Sequence, residues 1–312
     1  MSTMVPIRQA RPRRFQWYKF KNLIIPYTFL LPFFILMAVF TLYVFIRGAQ
    51  TSFTDAQAIN PGSWIGLQNY SDIMGNTEFW KSVGITFKFT LGCLLTQMPV
   101  AFIMAYILNN ISKRIRGVLR ASFYVPVLIN GVAVALIFQT LFNREFGAIN
   151  WIMGLLGLPN NTDWLNNSTY SVLIMVIVSF WQWTGYHMVF FLASLQAIDP
   201  TIYEVAKLDG ASRTRTLFQI TVPLMKPAMA FTFVTSAIGS LQLFDLPFML
   251  FRNAGYGPGK SAMTLVAFIY DYGFARQFQL GYAAAAGWLV FFIILVFSLA
   301  ELKMLGLGQV DE

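Results

Sequence analysis

Six stretches of this chain run almost without charge for about 20 residues or more, at 23–46, 83–108, 121–142, 171–193, 225–250 and 281–302. A helix rises about 1.5 Å per residue, so roughly 20 apolar residues cross the ~30 Å hydrocarbon layer of a bilayer. A lone strand in lipid would leave its backbone N–H and C=O groups unpaired, so each stretch must be a helix. The expected fold is all-α, a polytopic membrane protein with six transmembrane helices.

Composition agrees. Of 312 residues, 57% are hydrophobic and only 11% charged, against roughly 25% charged in soluble domains. Charge this sparse also excludes a disordered tail or a coiled coil, which need dense polar side chains. The net charge of +9 does not point to nucleic acid, because the basic residues cluster beside the apolar runs, as membrane topology requires. Arg8, Arg11, Arg13, Arg14, Lys19 and Lys21 precede the first run without an acid between them. Lys113, Arg114, Arg116 and Arg120 lie between the second and third, and Lys207, Arg213, Arg215 and Lys226 between the fourth and fifth. This bias predicts both termini in the cytoplasm, with 1–22 a basic cytoplasmic segment, 23–302 the six-helix domain and 303–312 a cytoplasmic tail. Lys88 is expected to snorkel from the outer end of the second span.

Arg13-Arg14-Phe15 resembles a twin-arginine export signal, but the apolar run behind it is too long and no cleavage site follows, so the first span is expected to remain as an anchor. The connecting segments 47–82 and 194–224 are shorter than the ~50 residues a soluble domain needs. Cys93 is the only cysteine, so neither an intrachain disulfide nor a thiolate cluster can form. His187 is the only histidine, which removes paired-histidine metal sites and Ser-His chemistry, and packing between helices is its expected role. No metal is expected and no catalytic residue is assigned. Residues 254–261 end in the Gly-Lys-Ser of a phosphate loop, but without its first glycine, preceding strand or following helix; a glycine-rich turn between two spans is expected instead.

The richest local signal lies in the segment after the fourth span, within a loop of about 195–223. Asp199 caps and Pro200 opens a short helix, Gly210 stops it, and Pro223 bounds a second helical piece leading into the next span. A compact helix-turn-helix is expected, with Ile202, Val205, Ala206 and Leu208 on an apolar flank and Glu204, Lys207 and Asp209 supplying polar contacts. A small, partly apolar knob beside a membrane suits docking into a partner.

The pattern Glu204-x-Ala206-x-x-Asp209-Gly210-Ala211, followed by Phe218, Pro223 and Pro227, resembles the cytoplasmic loop of ATP-binding-cassette importer permeases of the binding-protein-dependent class. Val205 stands where the usual motif has a second alanine. Leu243-Phe244-Asp245-Leu246-Pro247, Thr264-Leu265, Ile269-Tyr270 and Gly281 to Ala285 look like the carbohydrate branch of that family. The resemblance implies a coupling helix between the fourth and fifth spans, with Tyr203, Glu204, Ala206, Asp209, Gly210 and Ala211 in the cleft of an ATPase. It implies a second, homologous permease in a heterodimer, two ATPase subunits that bind ATP and magnesium, and an extracytoplasmic solute-binding protein. This chain would then carry no cofactor and sit in a bacterial or archaeal plasma membrane.

Charges inside a span are costly, so a route for sugar should use uncharged polar and aromatic side chains. Ser179, Gln182, Trp183 and Tyr186 fall at i, i+3, i+4 and i+7 of the fourth span, one stripe of a helix. Thr232, Ser236, Gly239 and Ser240 make a second stripe in the fifth span, continuing toward Gln242, although small residues serve close helix packing equally well. Asp245 is expected to be structural or gate-forming. The alternative function is an ion-coupled secondary transporter of a small polar solute, which would need titratable groups in midspan. An intramembrane enzyme would need a convergent catalytic set, which one histidine and scattered acids do not supply.

Overall fold

The computed structural model describes residues 17–251, 255–275 and 278–304. The Arg8 to Arg14 cluster and residues 305–312 of the expected tail lie outside the described residues. Among the described residues the regular structure is helical, with two isolated β-bridges, Thr54 to Trp64 and Gln57 to Gln279. Five helices are long and apolar enough to cross a membrane, and a bent pair makes a sixth candidate.

The chain divides into two compact units, Met1–Gln50 and Thr51–Glu312. In the first, helix α1 (Trp17–Met37) continues through a π-helical turn at Ala38–Leu42 into α2 (Tyr43–Ser52). Phe29, Phe33 and Phe40 stand exposed on it, the surface that lipid would cover.

The second unit begins with α3 (Gln68–Met74) and α4 (Thr77–Asn109). The Asn76 side chain caps α4 by accepting from the N–H groups of Glu78 and Phe79. The 33 residues of α4 extend for ~50 Å at about 1.5 Å each, so the expected span 83–108 is its apolar middle. Lys88 is exposed on α4.

The expected third span, 121–142, is not one helix. Its chain forms α5 (Lys113–Tyr124), a 3-10 turn at Val125–Leu128 and α6 (Gly131–Leu141), bent by 95°. Pro126 opens the 3-10 turn, Ile129 is extended, and Asn130 caps α6 by accepting from the Val132 N–H at 2.8 Å. Hydropathy cannot show this break because both arms are apolar enough to sum to one span. The basic residues Lys113, Arg114, Arg116 and Arg120 accordingly lie on α5 rather than in a loop. Arg116 folds back to donate to the carbonyls of Asn109 and Ile111 at 2.7 and 3.0 Å, satisfying acceptors where α4 ends.

After α7 (Ala148–Leu155), α8 (Ser171–Gln196) packs along α4 as the central pair of the unit. Small residues bring the two backbones together: Gly92 lies against Val176, and Ala101 and Ala105 are fully buried. Gln97 donates to the Ser179 hydroxyl across this seam at 3.0 Å.

Next come α9 (Pro200–Leu208), α10 (Arg213–Thr216), a π turn at Leu217–Thr221 and α11 (Val222–Leu241). The last three join into one helix, Arg213–Leu241, so Pro223 does not bound a separate piece and the expected helix-turn-helix is one short helix followed by a long one. Proline lacks an N–H and crowds the carbonyl four residues back, here Gln219. The π turn contains Gln219 and widens the ladder there, so the helix runs through. The expected fifth span, 225–250, stops at Leu241, and α12 (Asp245–Leu250) follows as a separate helix. Then come α13 (Leu265–Tyr270) and α14 (Leu280–Met304), the expected sixth span.

The glycine-rich segment forms a 3-10 turn at Pro258–Lys260. Lys260 meets both oxygens of Glu78, at 2.8 and 2.7 Å, and approaches Asp271 at 3.7 Å. Its ammonium is thus committed to carboxylates, and the turn reading holds.

Candidate functional site

Two features of the second unit stand out, a cavity lined by both polar and aromatic side chains and a projecting helix. The cavity holds about 320 Å³ between α4, α6, α8, α11 and α12. Of the fourth-span stripe, Ser179, Gln182, Trp183 and Tyr186 all line it, as do Ser236, Gly239 and Ser240 from the fifth. Helical spacing brings each set to one face, and the two faces meet.

Two residues of the fifth-span stripe fall elsewhere. Gln242 borders a different, largely apolar cleft with Ile238, Gly287, Val290 and Phe291. Six residues beyond Ser236 is about one and two-thirds turns, which rotates Gln242 off the stripe. Thr232 is buried and donates to the Ala228 carbonyl at 2.7 Å, within its own helix.

The cavity also contains groups the stripes did not include: Phe89, Gln97, Gly131, His187, Thr235 and Asp245. Gln97 is legible as a lone amide in an apolar run, but only the α4–α8 crossing shows its partner to be Ser179. His187 is 4% exposed, and its Nδ1 has no hydrogen-bond partner among the described residues. With Trp183 and Tyr186 it forms an aromatic row, with ring centroids 6.1 and 5.4 Å apart in edge-on geometry. Gln182 also supports the fold, since its amide donates to the Ile129 carbonyl at 3.2 Å and satisfies an acceptor at the bend of the broken span. Gln139 does likewise for Met249 and Leu250 at the end of α12. Chemically the cavity offers hydroxyls, amides and aromatic faces, with a single carboxylate from Asp245.

The projecting helix is α9. Asp199 accepts from the Thr201 N–H at 2.9 Å, and this bond holds its carboxyl below the usual carboxylate range. At the other end, Gly210 has φ +72°, its N–H reaches the Lys207 carbonyl, and the Ala211 N–H reaches that of Ala206 at 2.9 Å. This paired arrangement with a left-handed glycine closes the helix. Glu204, Asp209 and Gly210 are exposed, Tyr203 and Ala211 half-buried, and Ala206, 5% exposed, packs inward. Ala206 therefore seats α9 on the bundle. Val205 and Leu208 face outward, Leu208 at 86% exposure, so the outer flank is apolar with acids beside it.

An all-helical bundle with several apolar spans, a cavity lined by both polar and aromatic side chains and a capped helix projecting from one end defines a membrane transport component. Residues 97–302 match the model of the binding-protein-dependent transport system inner membrane component family, and the chain belongs to that family. It is 33% identical over 285 residues to the arabinooligosaccharides transport system permease protein AraP of Bacillus subtilis, covering 90% of this chain and 88% of the relative. It is 31% identical over 276 residues to the lactose transport system permease protein LacF of Rhizobium radiobacter, covering 88% and 91%. The crystal structure of a bacterial ABC transporter involved in the import of the acidic polysaccharide alginate shares the fold, with TM-score 0.82 and 24% identity over 95% of this chain and 99% of that one. Family membership extends the resemblance read from the loop to two-thirds of the chain and favours the importer reading over ion-coupled transport.

Proposed function

We propose that this chain is one of two permease subunits of an ATP-driven sugar importer in a bacterial or archaeal plasma membrane, with both termini in the cytoplasm. The observation that carries the reading is the course of α8. It lines the cavity from Ser179 to His187 and ends at Gln196, with only residues 197–199 between it and Pro200, which opens the capped helix α9. Cavity wall and handle are thus consecutive helices joined by a short link. The naming of its relatives for arabino-oligosaccharide and lactose transport supports sugar as the cargo.

In this mechanism α9 is the coupling helix within the loop of about 195–223. Glu204, Asp209 and the apolar Val205 and Leu208 dock into an ATPase subunit, and Ala206 and the half-buried Tyr203 and Ala211 fix the helix to the bundle. ATP and magnesium are held by the two ATPase partners, and this chain carries no catalytic group. Closure of the ATPases pulls α9, which moves as one piece because it is capped at both ends. The motion rocks α8 against its neighbours and opens the cavity toward an extracytoplasmic solute-binding protein. A second, homologous permease closes the cavity's open side. Hydroxyls and amides of Ser179, Gln182, Ser236 and Ser240 then exchange hydrogen bonds with sugar hydroxyls, while Trp183 and Tyr186 face its C–H surface.

The test is reconstitution of the chain with its partner subunits in proteoliposomes. ATP-dependent uptake of arabino-oligosaccharides or lactose, abolished by Glu204→Arg with the complex still assembled, is the expected result. Uptake driven by an ion gradient without ATP would overturn the reading.

A further inference from the structure

We propose that the cavity admits uncharged sugars and turns away anionic ones such as uronates, and that Asp245 is the discriminating group. The inference deepens the reading above and rests on it, since it concerns what the same cavity accepts. Asp245 is the only charged side chain among the described residues that line the cavity, and no lysine or arginine lines it. From α8 the one titratable liner besides Tyr186 is His187. The described α4, α6 and α11 liners, Phe89, Gln97, Gly131, Thr235, Ser236, Gly239 and Ser240, are uncharged. Lys88 neighbours Phe89 in sequence but does not line the cavity.

The carboxylate sits against the start of α6. Its Oδ2 comes so close to Gly131 that a Cβ there would displace it, so the glycine at the first position of α6 lets the carboxylate approach the backbone. There it also faces the positive end of the α6 dipole, which favours negative charge. No described cation pairs with it. Recognition of a carboxylated sugar calls for the opposite arrangement, an arginine fork or a lysine. What the cavity offers besides Asp245 is neutral. The unpartnered Nδ1 of His187, a residue only 4% exposed, is a group that gains most from a visiting hydroxyl. A fold shared with an importer of acidic polysaccharide does not carry that specificity across, because selection resides in the site.

The experiment reads the field of the cavity without needing a transported sugar. Ser236→Cys in a Cys93→Ser background places the only thiol of this chain in the cavity wall of the assembled complex. Its modification rates by a cationic trimethylammonium and an anionic sulfonate methanethiosulfonate reagent are compared with those of a free thiol. Relative to that reference, the cationic reagent is expected to be favoured about tenfold or more, and Asp245→Asn is expected to remove most of the preference. Equal relative rates, an anionic preference, or a cationic preference unchanged in Asp245→Asn would overturn the proposal. If Asp245→Asn fails to assemble, Asp245→Ser takes its place, with the same loss of preference expected. A complex that transports no sugar would instead count against the proposed function, and the reagent rates would still be readable.

Discussion

Gly185, in the middle of α8, faces the backbone carbonyl of Phe123 so closely that a Cβ at position 185 would overlap its oxygen. This approach seats the α5 arm of the broken span against the helix that lines the cavity. Gly185→Ala must push backbone away from backbone, and overpacking of that kind costs about 1–3 kcal/mol. Thermal unfolding of the purified complex should show the loss. Gly84→Ala is the control: nothing lies within 4 Å of its added Cβ, and alanine there should be neutral or stabilise by up to ~1 kcal/mol. Similar destabilisation by both would rule out the steric account.

Gly210 separates the fold of α9 from its docking. Its φ of +72° with open space around the Cα means that Gly210→Ala is opposed by backbone conformation alone, about 1–2 kcal/mol, while Gly210→Asn is better tolerated. Glu204→Arg touches no cap and should leave α9 formed. Without the ATPase partners, hydrogen exchange of 199–211 should therefore rise in Gly210→Ala and stay unchanged in Glu204→Arg, whereas in the full complex sugar-stimulated ATP hydrolysis is lost in Glu204→Arg. Full stimulation in Glu204→Arg would remove Glu204 from the interface.

The parts of this molecule legible in sequence are those set by local rules. Asp199, Pro200 and Gly210 specify one helix because capping acts within a few residues. The Ser179 to Tyr186 stripe follows from helical spacing. Features that depend on what another segment does are hidden. The 95° bend after Leu128 is held by Gln182, more than fifty residues away, and hydropathy counts both arms as one span. Pro223 reads as a boundary until a π turn before it absorbs the missing N–H. Gln242 continues the stripe in sequence but not in rotation. Asp245 meets Gly131, on an element over a hundred residues earlier, a contact that no local pattern shows.

The Asp199 cap gives a pH dependence with a definite sign. Its carboxyl is held low by the Thr201 N–H, so the folded state favours the charged form. The stabilisation it provides is fully present above the unfolded value, about 3.9, and is lost as pH falls through the lowered folded value. Hydrogen exchange of α9 should consequently be free of any Asp199 contribution to pH dependence between about pH 5 and 8. Asp199→Asn, which still caps, should protect α9 at every pH, and Asp199→Ala should expose it at every pH. A loss of protection near neutral pH that Asp199→Asn abolishes would contradict this assignment.

Lys260 holds the glycine-rich turn against two other elements. Its ammonium lies between Glu78, at the start of α4, and Asp271, just after α13. The Tyr272 hydroxyl donates to Glu78 at 3.2 Å, and Asn76 donates to the hydroxyls of Tyr272 and Tyr282. The Lys260 backbone has φ +60°, an unfavourable conformation for a lysine that the ion pairs help to retain. Lys260→Met removes the cation that Glu78 and Asp271 share. Because Glu78 is partly exposed and screened, the cost should fall between the surface and buried limits, about 1–3 kcal/mol. Glu78→Gln should cost less, since Asp271 still faces the lysine. In a double-mutant cycle the two changes should cost less together than the sum of each alone, and the coupling should shrink in high salt. Strict additivity of the melting shifts would show that the turn is held by its backbone and not by this cluster.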